Sequence, residues 1–163
     1  MGYSLAPAGQ EWLTEAHSWI RARPWAFPHS GGRLSLSEYL DQARSVYQKD
    51  VAILNGGRFI SLITTIKEGD EYRLHITSPR GTDSETVTAA ARSVINSLFR
   101  DLGARSVYTS SPIYRGRHQH RGSMRLCEAC GAEFTGHIEA DEFGNQWKRY
   151  EIARERWLST YGW

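Results

Sequence analysis

Apolar side chains recur every three or four positions in two long segments of the chain, and this spacing predicts helices with one buried face. The first segment covers residues 8–22, and its helix should end before Pro24, because proline disfavours the helical conformation in the residue before it. The second covers residues 84–102, where Gly103 follows as the residue type that commonly ends a helix.

Two shorter helices are also predicted. Ser35 and Glu38 have the spacing of a capping box, which favours a helix that begins at Ser35 and ends near Tyr47. The stretch from Gly122 to Cys130 places its apolar side chains on one side of a helix.

Segments of alternating or continuous apolar character predict strands. These segments are residues 51–55, 59–66, 71–78, 105–111, 132–140 and 146–153. The resulting order is two helices, three strands, a helix, a strand, a helix and two strands. This order predicts an α/β (α+β) sandwich built around a mixed sheet.

Composition narrows the class of protein. A chain of 163 residues that is 40% hydrophobic and 12% aromatic fits one domain with a real core. The two cysteines argue against a secreted domain held together by disulfides. The N-terminus has no signal-peptide pattern, and no apolar run approaches the ~20 residues that a membrane helix needs. We expect a soluble, cytoplasmic protein without a membrane partner.

The net charge of +2 is small, but the positive charge is concentrated in one place, residues 115–125. This basic stretch contains Arg115, Arg117, His118, His120, Arg121 and Arg125. Guanidinium groups at such density favour binding to the phosphates of a nucleotide or of a nucleic acid. A solvated loop is the alternative, because a run of like charges most often has that role.

The two cysteines follow the basic stretch in a C-x-x-C spacing. Together with His118 and His120, Cys127 and Cys130 provide the residue types of a zinc site. A redox pair is a second interpretation, but such cysteines lie at a helix N-terminus, where the helix dipole lowers the thiol pKa. Here both fall in the C-terminal half of the predicted helix. We therefore expect buried cysteines on a helix and no bound metal.

The order of elements over residues 50–157 resembles that of the GNAT superfamily of acyl-CoA-dependent N-acyltransferases. The tail carries the most specific match, because members read N-x-x-S-x-x-L-x-x-x-x-G-F-x-x-x-G in this region. The corresponding positions here are His120, Ser123, Leu126, Gly131, Ala132 and Gly136. A helix followed by LFRDLGA and a strand is similar to the centre of the family fold.

The resemblance implies a GNAT-like mixed, mostly antiparallel sheet with helices on both faces, formed by residues 1–163 as a single domain. It also implies an N-acetyltransferase that moves an acetyl or related acyl group from acetyl-CoA to an amine acceptor, by direct attack in a ternary complex. Three positions depart from the pattern: His120 replaces an asparagine, Ala132 an aromatic residue, and Cys127 the tyrosine that many members use as general acid.

These departures are similar to those of divergent, often phage-encoded members, including a branch that modifies adenine in DNA. Two further hypotheses therefore stand beside the N-acetyltransferase. The first is membership of that DNA-base-modifying branch. The second is a GNAT-fold protein that has lost catalysis and has a binding role or a virion-associated structural role.

The segment from Pro79 to Ser84 leads from a strand into a helix start, where free N–H groups and the positive end of the helix dipole favour an anion. Gly81 permits close approach of the main chain, whereas Asp83 and Glu85 oppose an anion by their charge. A helix cap with nothing bound is the alternative. The resemblance implies that this segment is the pyrophosphate loop for acetyl-CoA. The expected cofactor-binding residues are Ile76, Thr77, Ser78, Arg80, Gly81, Thr82, Asp83, Ser84, Glu85, His120 and Ser123.

Three residues are candidates for catalysis. His75 lies beside the point where members separate two strands to admit the thioester, and a neutral imidazole there could accept the proton of an amine. A half-buried histidine with an ordinary hydrogen bond is the alternative. Glu71 is the second candidate base, and Cys127 occupies the position of the family's acid. On the neighbouring strand, the side chains that face the cleft are either Tyr108 and Ser110 or Thr109 and Ser111.

The expected partners are an amine-bearing acceptor and a second copy of the chain in a homodimer. The surplus of positive charge in the basic stretch favours an acceptor amine on a nucleic acid, held weakly and with strong salt dependence. An amine on a protein with acidic surroundings is the alternative acceptor.

Overall fold

The structure, a computed structural model, describes residues 2–23, 33–113, 128–141, 144 and 146–161. Within these residues the strands are β1 (Tyr3–Pro7), β2 (Gln48–Asn55), β3 (Arg58–Glu68), β4 (Glu71–Thr77), β5 (Ser106–Ile113), β6 (Glu133–Ala140) and β7 (Gln146–Ala153). The helices are α1 (Gln10–Ala22), α2 (Leu36–Ala43), α3 (Ser84–Arg100) and α4 (Arg154–Tyr161).

The strands form one seven-stranded sheet in the order β1-β2-β3-β4-β5-β7-β6. The pairs β1–β2, β2–β3, β5–β7 and β6–β7 are antiparallel, and β4 runs parallel to β5. The parallel ladder is short, since it joins only Glu71–Arg73 to residues 106–108. The predicted mixed, mostly antiparallel sheet is confirmed.

The chain divides into two compact units, Met1–Lys67 with Leu74–Ala90 and Glu68–Arg73 with Ala91–Trp163. In the first unit, one face of α1 packs against β2 and β3. The buried core there consists of Leu13, Ala16, Ala52, Phe59 and Leu62. The rings of Trp12 and Trp19 stack on Phe59, with centroid distances of 5.6 and 4.8 Å, and close the edge of this core.

The core of the second unit lies between α3, α4 and the strands β5 and β7. Ile95 and Phe99 of α3 are fully buried, as is Trp157 of α4. The Trp157 indole N–H donates to the Asn96 side-chain oxygen over 3.3 Å, so its one polar atom is satisfied. Arg154 donates to the carbonyl oxygen of Phe99 and so holds the start of α4 against the end of α3.

Strand β6 lies at one edge of the sheet, and its ladder with β7 is irregular. The register shifts between Phe134 and Ile138, where Gly136 adopts a positive φ of 82°. Such a bulge bends and twists the strand that carries it. Phe134 and Ile138 are 44% and 50% exposed, so β6 contributes little to the core of its unit.

The capping box at Ser35 and Glu38 is confirmed, but the predicted end of its helix is wrong. α2 ends at Ala43 instead of near Tyr47. The main-chain N–H of Lys67 donates to the carbonyl oxygen of Tyr47 over 2.8 Å. This bond draws the chain into the sheet, and β2 therefore begins at Gln48, three residues before the predicted strand.

Two elements were not predicted from the sequence. β1 is an edge strand with no fully buried side chain, so it lacks the alternation that identifies a strand. α4 follows β7, whereas the sequence pattern predicted two strands as the last elements. Its single fully buried side chain, Trp157, gives no helical periodicity. Most of the helix predicted over residues 122–130 lies outside the described residues.

Replacement of Trp157 by alanine should lower the free energy of unfolding by about 3–5 kcal/mol, because a fully buried aromatic side chain leaves a cavity. Thr160→Ala, at an exposed position of the same helix, is the control and should change it by less than about 0.5 kcal/mol. Chemical denaturation measures both. A loss below about 1 kcal/mol for Trp157→Ala would show that α4 does not form part of the core.

Candidate active site

The chain leaves β4 at Thr77 and enters α3 at Ser84 through a tight loop. Gly81 has a positive φ of 84°, and no heavy atom lies within 4 Å of the position that a Cβ would occupy. The Thr82 hydroxyl donates to the carbonyl oxygen of Pro79 over 2.8 Å and closes the turn. Glycine therefore provides both the left-handed conformation and an open main-chain surface at the start of the helix.

Asp83 is the N-terminal cap of α3. Its Oδ1 accepts the N–H of Glu85 over 3.1 Å, and its Oδ2 accepts the hydroxyl of Thr86 over 2.6 Å. The Thr86 hydroxyl, and next the Glu85 N–H, lower the pKa of the Asp83 carboxyl. Its contribution to stability is thus complete above the ordinary aspartate pKa of about 3.9 and is lost as pH falls through the lowered value.

Several donors at the helix start are not used by the cap and have no acceptor among the described residues. Within the part of the chain that the structure describes, no group accepts the main-chain N–H of residues 81–84. Arg80 and Ser84 are exposed beside them. Such donors at the positive end of a helix favour an anion, although Asp83 and Glu85 oppose it by charge. A capped helix and an anion site were alternatives from the sequence. The cap is present at the N–H group of Glu85, and an anion at the N–H groups of residues 81–84 stays a prediction.

Residues 76–78 precede the loop and are largely enclosed. Thr77 is buried, and Ile76 and Ser78 are half-buried. Two residues that were not predicted from the sequence contact this strand end: Ser61 of β3 and Arg23, which follows α1. A serine inside the apolar run of β3 was the only sequence signal for Ser61, because buried hydroxyls require a partner.

His75 is half-buried in β4, in the same unit as the loop and the start of α3. It takes part in an interaction, so it is not a free side chain. It lies two residues beyond Arg73, the last residue of the parallel ladder with β5. The first unit thus contains His75 together with residues 76–78 and 80–85, and the role of each in binding or catalysis stays a prediction.

Glu71 belongs to the second unit and is held by two arginines. Its Oε1 accepts from Arg105 over 2.8 Å, and its Oε2 accepts from Arg149 over 3.2 Å. Both carboxylate oxygens are therefore engaged in ion pairs, and a proton acceptor at this position would first have to exchange one of them.

Tyr108 is the centre of a charged network that the sequence did not indicate. Its hydroxyl donates to Glu68 over 2.6 Å and accepts from Arg73 Nε over 2.9 Å. The guanidinium of Arg149 lies 3.6 Å from the ring centroid. Burial, and next the hydrogen bond to Glu68, raise the pKa of the Tyr108 phenol. The network joins β3, β4, β5 and β7 through side chains distant in sequence.

The strand residues Tyr108 and Ser111 are both buried, whereas Thr109 and Ser110 are half-buried. Each of the two pairs proposed from strand alternation thus contains one buried and one half-buried residue, so the members of a pair are not equally accessible. The alternation of side chains along this strand could not predict that arginines cover the Tyr108 ring on one face of the sheet.

His120, Ser123 and Cys127 lie outside the described residues, as does the basic stretch. Cys130 is buried and free of a disulfide, and burial raises the pKa of its thiol to about 11. A protonated thiol is a poor metal ligand. Among the described residues, no group of three or more His, Cys, Asp or Glu side chains has the arrangement of a metal site. No helix in the described ranges is long and apolar enough to span a membrane.

Comparison with solved structures shows that the fold is GNAT-like. Spermidine N-acetyltransferase from Vibrio cholerae, solved in complex with CoA and spermine, superposes with a TM-score of 0.77 over 96% of this chain and 98% of its own, at 14% sequence identity. A dodecameric structure of the same enzyme in an intermediate state gives a TM-score of 0.72 over 98% of each chain, also at 14% identity. No protein-family model and no curated protein sequence matches this chain.

Asp83→Asn keeps a good capping residue but removes its charge, so the variant should bind inorganic pyrophosphate about threefold more tightly than the parent does. Asp101→Asn, which makes the same charge change just beyond the other end of α3, is the control and should leave the affinity unchanged. Titration calorimetry at low salt measures both. Equal affinity for the parent and Asp83→Asn would mean that the anion does not bind at this helix start.

Proposed function

We propose that this protein is an N-acyltransferase that moves an acetyl or related acyl group from acyl-CoA to an amine acceptor in a ternary complex. One observation carries the proposal: the main-chain N–H groups of residues 81–84 lack a described acceptor at the start of α3. They lie in a fold whose solved neighbour binds CoA. A coenzyme A pyrophosphate is the kind of anion that such a helix start attracts.

The described residues fit acetyl-CoA at this place. The N–H groups of residues 81–84 would hold the phosphates, and Gly81 leaves the main chain accessible. Arg80 adds a positive charge at the exposed side of the loop. Residues 76–78 would hold the acyl-bearing arm. The resemblance to the GNAT superfamily implies that His120 and Ser123 also bind acetyl-CoA. When bound, acetyl-CoA supplies an acyl group that is already activated as a thioester.

His75 is the proposed general base. His75 is half-buried, and a neutral imidazole can accept a proton from the acceptor amine, directly or through one water molecule. Glu71 is the weaker candidate, because Arg105 and Arg149 occupy its two oxygens. Cys127 is proposed as the proton donor, in the place where many members have tyrosine. Fixing two substrates side by side supplies much of the rate.

Acetyl-CoA or CoA at a concentration well above its dissociation constant should raise the melting temperature, because a ligand of the native state stabilises it by mass action. Gly81→Ala should abolish this shift, since its Cβ would lie on the surface that the phosphates approach. Gly69→Ala is the matched control: its φ is also positive, at 66°, and its Cβ position is also open. Both variants should lose similar intrinsic stability, and only Gly81→Ala should lose the ligand shift.

A parent protein whose melting temperature does not respond to CoA would refute the proposed function. A shift of equal size in Gly81→Ala and Gly69→Ala would place the ligand elsewhere. Release of free CoA from acetyl-CoA in the presence of amines then separates an enzyme from a GNAT-fold binding protein, because only an enzyme shows turnover that depends on the amine.

The acceptor amine is proposed in two forms. The structural neighbour was solved with spermine, which favours a small polycationic amine. The basic stretch, residues 115–125, favours a polyanion that carries the amine, such as DNA or RNA. Positive charge at this density attracts a polyanion and repels a polycation, so the basic stretch would favour one of the two proposed acceptors and disfavour the other.

If the acceptor is a nucleic acid, a labelled duplex should bind at low ionic strength, and its affinity should fall steeply as salt is added. Arg117→Ala combined with Arg121→Ala should weaken binding about tenfold and reduce the salt dependence. Arg44→Ala combined with Arg58→Ala, which removes the same charge at exposed positions in the first unit, is the control. Undetectable duplex binding at low salt would leave a small-molecule or protein amine as the acceptor.

A further inference from the structure

The end of β4 is fixed by a buried serine on the neighbouring strand. Ser61 of β3 is fully buried, and its hydroxyl donates to the carbonyl oxygen of Thr77 over 3.1 Å. The same hydroxyl lies 2.5 Å from that of Ser78. A buried hydroxyl in an apolar strand is unfavourable unless it is hydrogen-bonded, and here its two partners are the last residue of β4 and the residue directly after it.

The arginine that follows α1 contacts the same place. Arg23 Nη2 donates to the carbonyl oxygen of Ser78 over 2.6 Å, a charge-assisted bond between residues 55 positions apart. Ser78 is thus held through its hydroxyl by Ser61 and through its carbonyl by Arg23. We call these three residues the Ser78 anchor.

The Ser78 anchor lies immediately before a segment with little freedom of its own. Proline at position 79 has a fixed φ and no N–H, and the Thr82 hydroxyl bonds back to its carbonyl oxygen. Gly81 provides the left-handed turn, and Asp83 caps the helix. The position of the N–H groups of residues 81–84 relative to β4 therefore depends on how Ser78 is held.

We infer that Arg23 and Ser61 are positioning residues, which set the orientation of the N–H groups of residues 81–84 by holding Ser78. The consequence for ligand affinity rests on the proposed function, in which these groups receive the phosphates of coenzyme A. Neither residue is placed against the ligand, so their effect is transmitted through the main chain of residues 78–80. Ser78 itself then has a structural role in addition to the contact with the acyl-bearing arm that we propose for residues 76–78.

Arg23→Met tests the anchor, because it removes the bond to Ser78 but keeps an unbranched apolar stem. Arg21→Met is the matched control, since Arg21 is exposed in the last turn of α1 and loses the same charge. Hydrogen exchange of the ligand-free protein is measured first. Main-chain N–H groups of residues 80–84 should exchange about tenfold faster in Arg23→Met than in Arg21→Met, while the turn at Gly56 and Gly57 should be unchanged.

Affinity for CoA is measured second, by calorimetry. Arg23→Met should bind about tenfold more weakly than Arg21→Met, a difference of about 1.4 kcal/mol. Arg23→Lys keeps the charge but replaces the planar guanidinium by a compact ammonium group, so its CoA affinity should exceed that of Arg23→Met only as far as its exchange protection is restored. Ser78→Ala, which removes one hydroxyl contact and no charge, should show the same two changes at smaller size.

Each outcome bears on a distinct statement. Unchanged exchange at residues 80–84 in Arg23→Met would overturn the anchor, whether or not CoA binds. Faster exchange with equal CoA affinity would overturn its role in positioning the ligand. Recovery of affinity in Arg23→Lys without recovery of protection would show that Arg23 acts by its charge alone, which also overturns the inference. A parent that binds no CoA would refute the proposed function, and the exchange result would still decide whether Arg23 holds Ser78.

Discussion

The start of α3 has main-chain N–H groups that the helix itself cannot pair, and the conformation of the loop before α3 determines how they are satisfied. Asp83 satisfies the N–H group of Glu85 through its side chain. The loop before it depends on Gly81 for its left-handed turn and on Thr82 for closure. What remains is a set of donors at residues 81–84 that face no described acceptor. A helix that is capped but not fully satisfied is the physical basis for the ligand binding that we propose at this point.

The sequence was informative where structure is determined by neighbouring residues. The capping box of Ser35 and Glu38 involves groups three positions apart, so its spacing alone predicted the helix start. The end of the same helix could not be predicted in this way. It depends on the bond between Lys67 and Tyr47, which forms only when β3 is in place. The edge strand β1 and the helix α4 were missed for a related reason, because neither presents a periodic buried face.

In the candidate site, too, the features set by neighbouring residues were predicted and those set by residues distant in sequence were not. The loop and helix start at residues 79–85 were recognised from local sequence, since a strand, a glycine and a capping residue are adjacent in the chain. The contacts that hold this segment were not recognised, because Ser61 and Arg23 are 17 and 55 residues from Ser78. The ionic network around Tyr108 is of the same kind. Its members are unremarkable charged residues along the sequence and become a network only through the pairing of β4, β5 and β7.

The irregular edge strand β6 has a consequence for the behaviour of the protein in concentrated solution. An exposed edge with apolar side chains is normally a template on which strands of other molecules can assemble. The bulge at Gly136 interrupts the row of main-chain donors and acceptors and twists the strand out of register. An incoming strand could match only a few residues on either side of that glycine, too few for a stable cross-β contact. One left-handed glycine thus disfavours the addition of another strand at the end of the sheet where Phe134 and Ile138 are exposed.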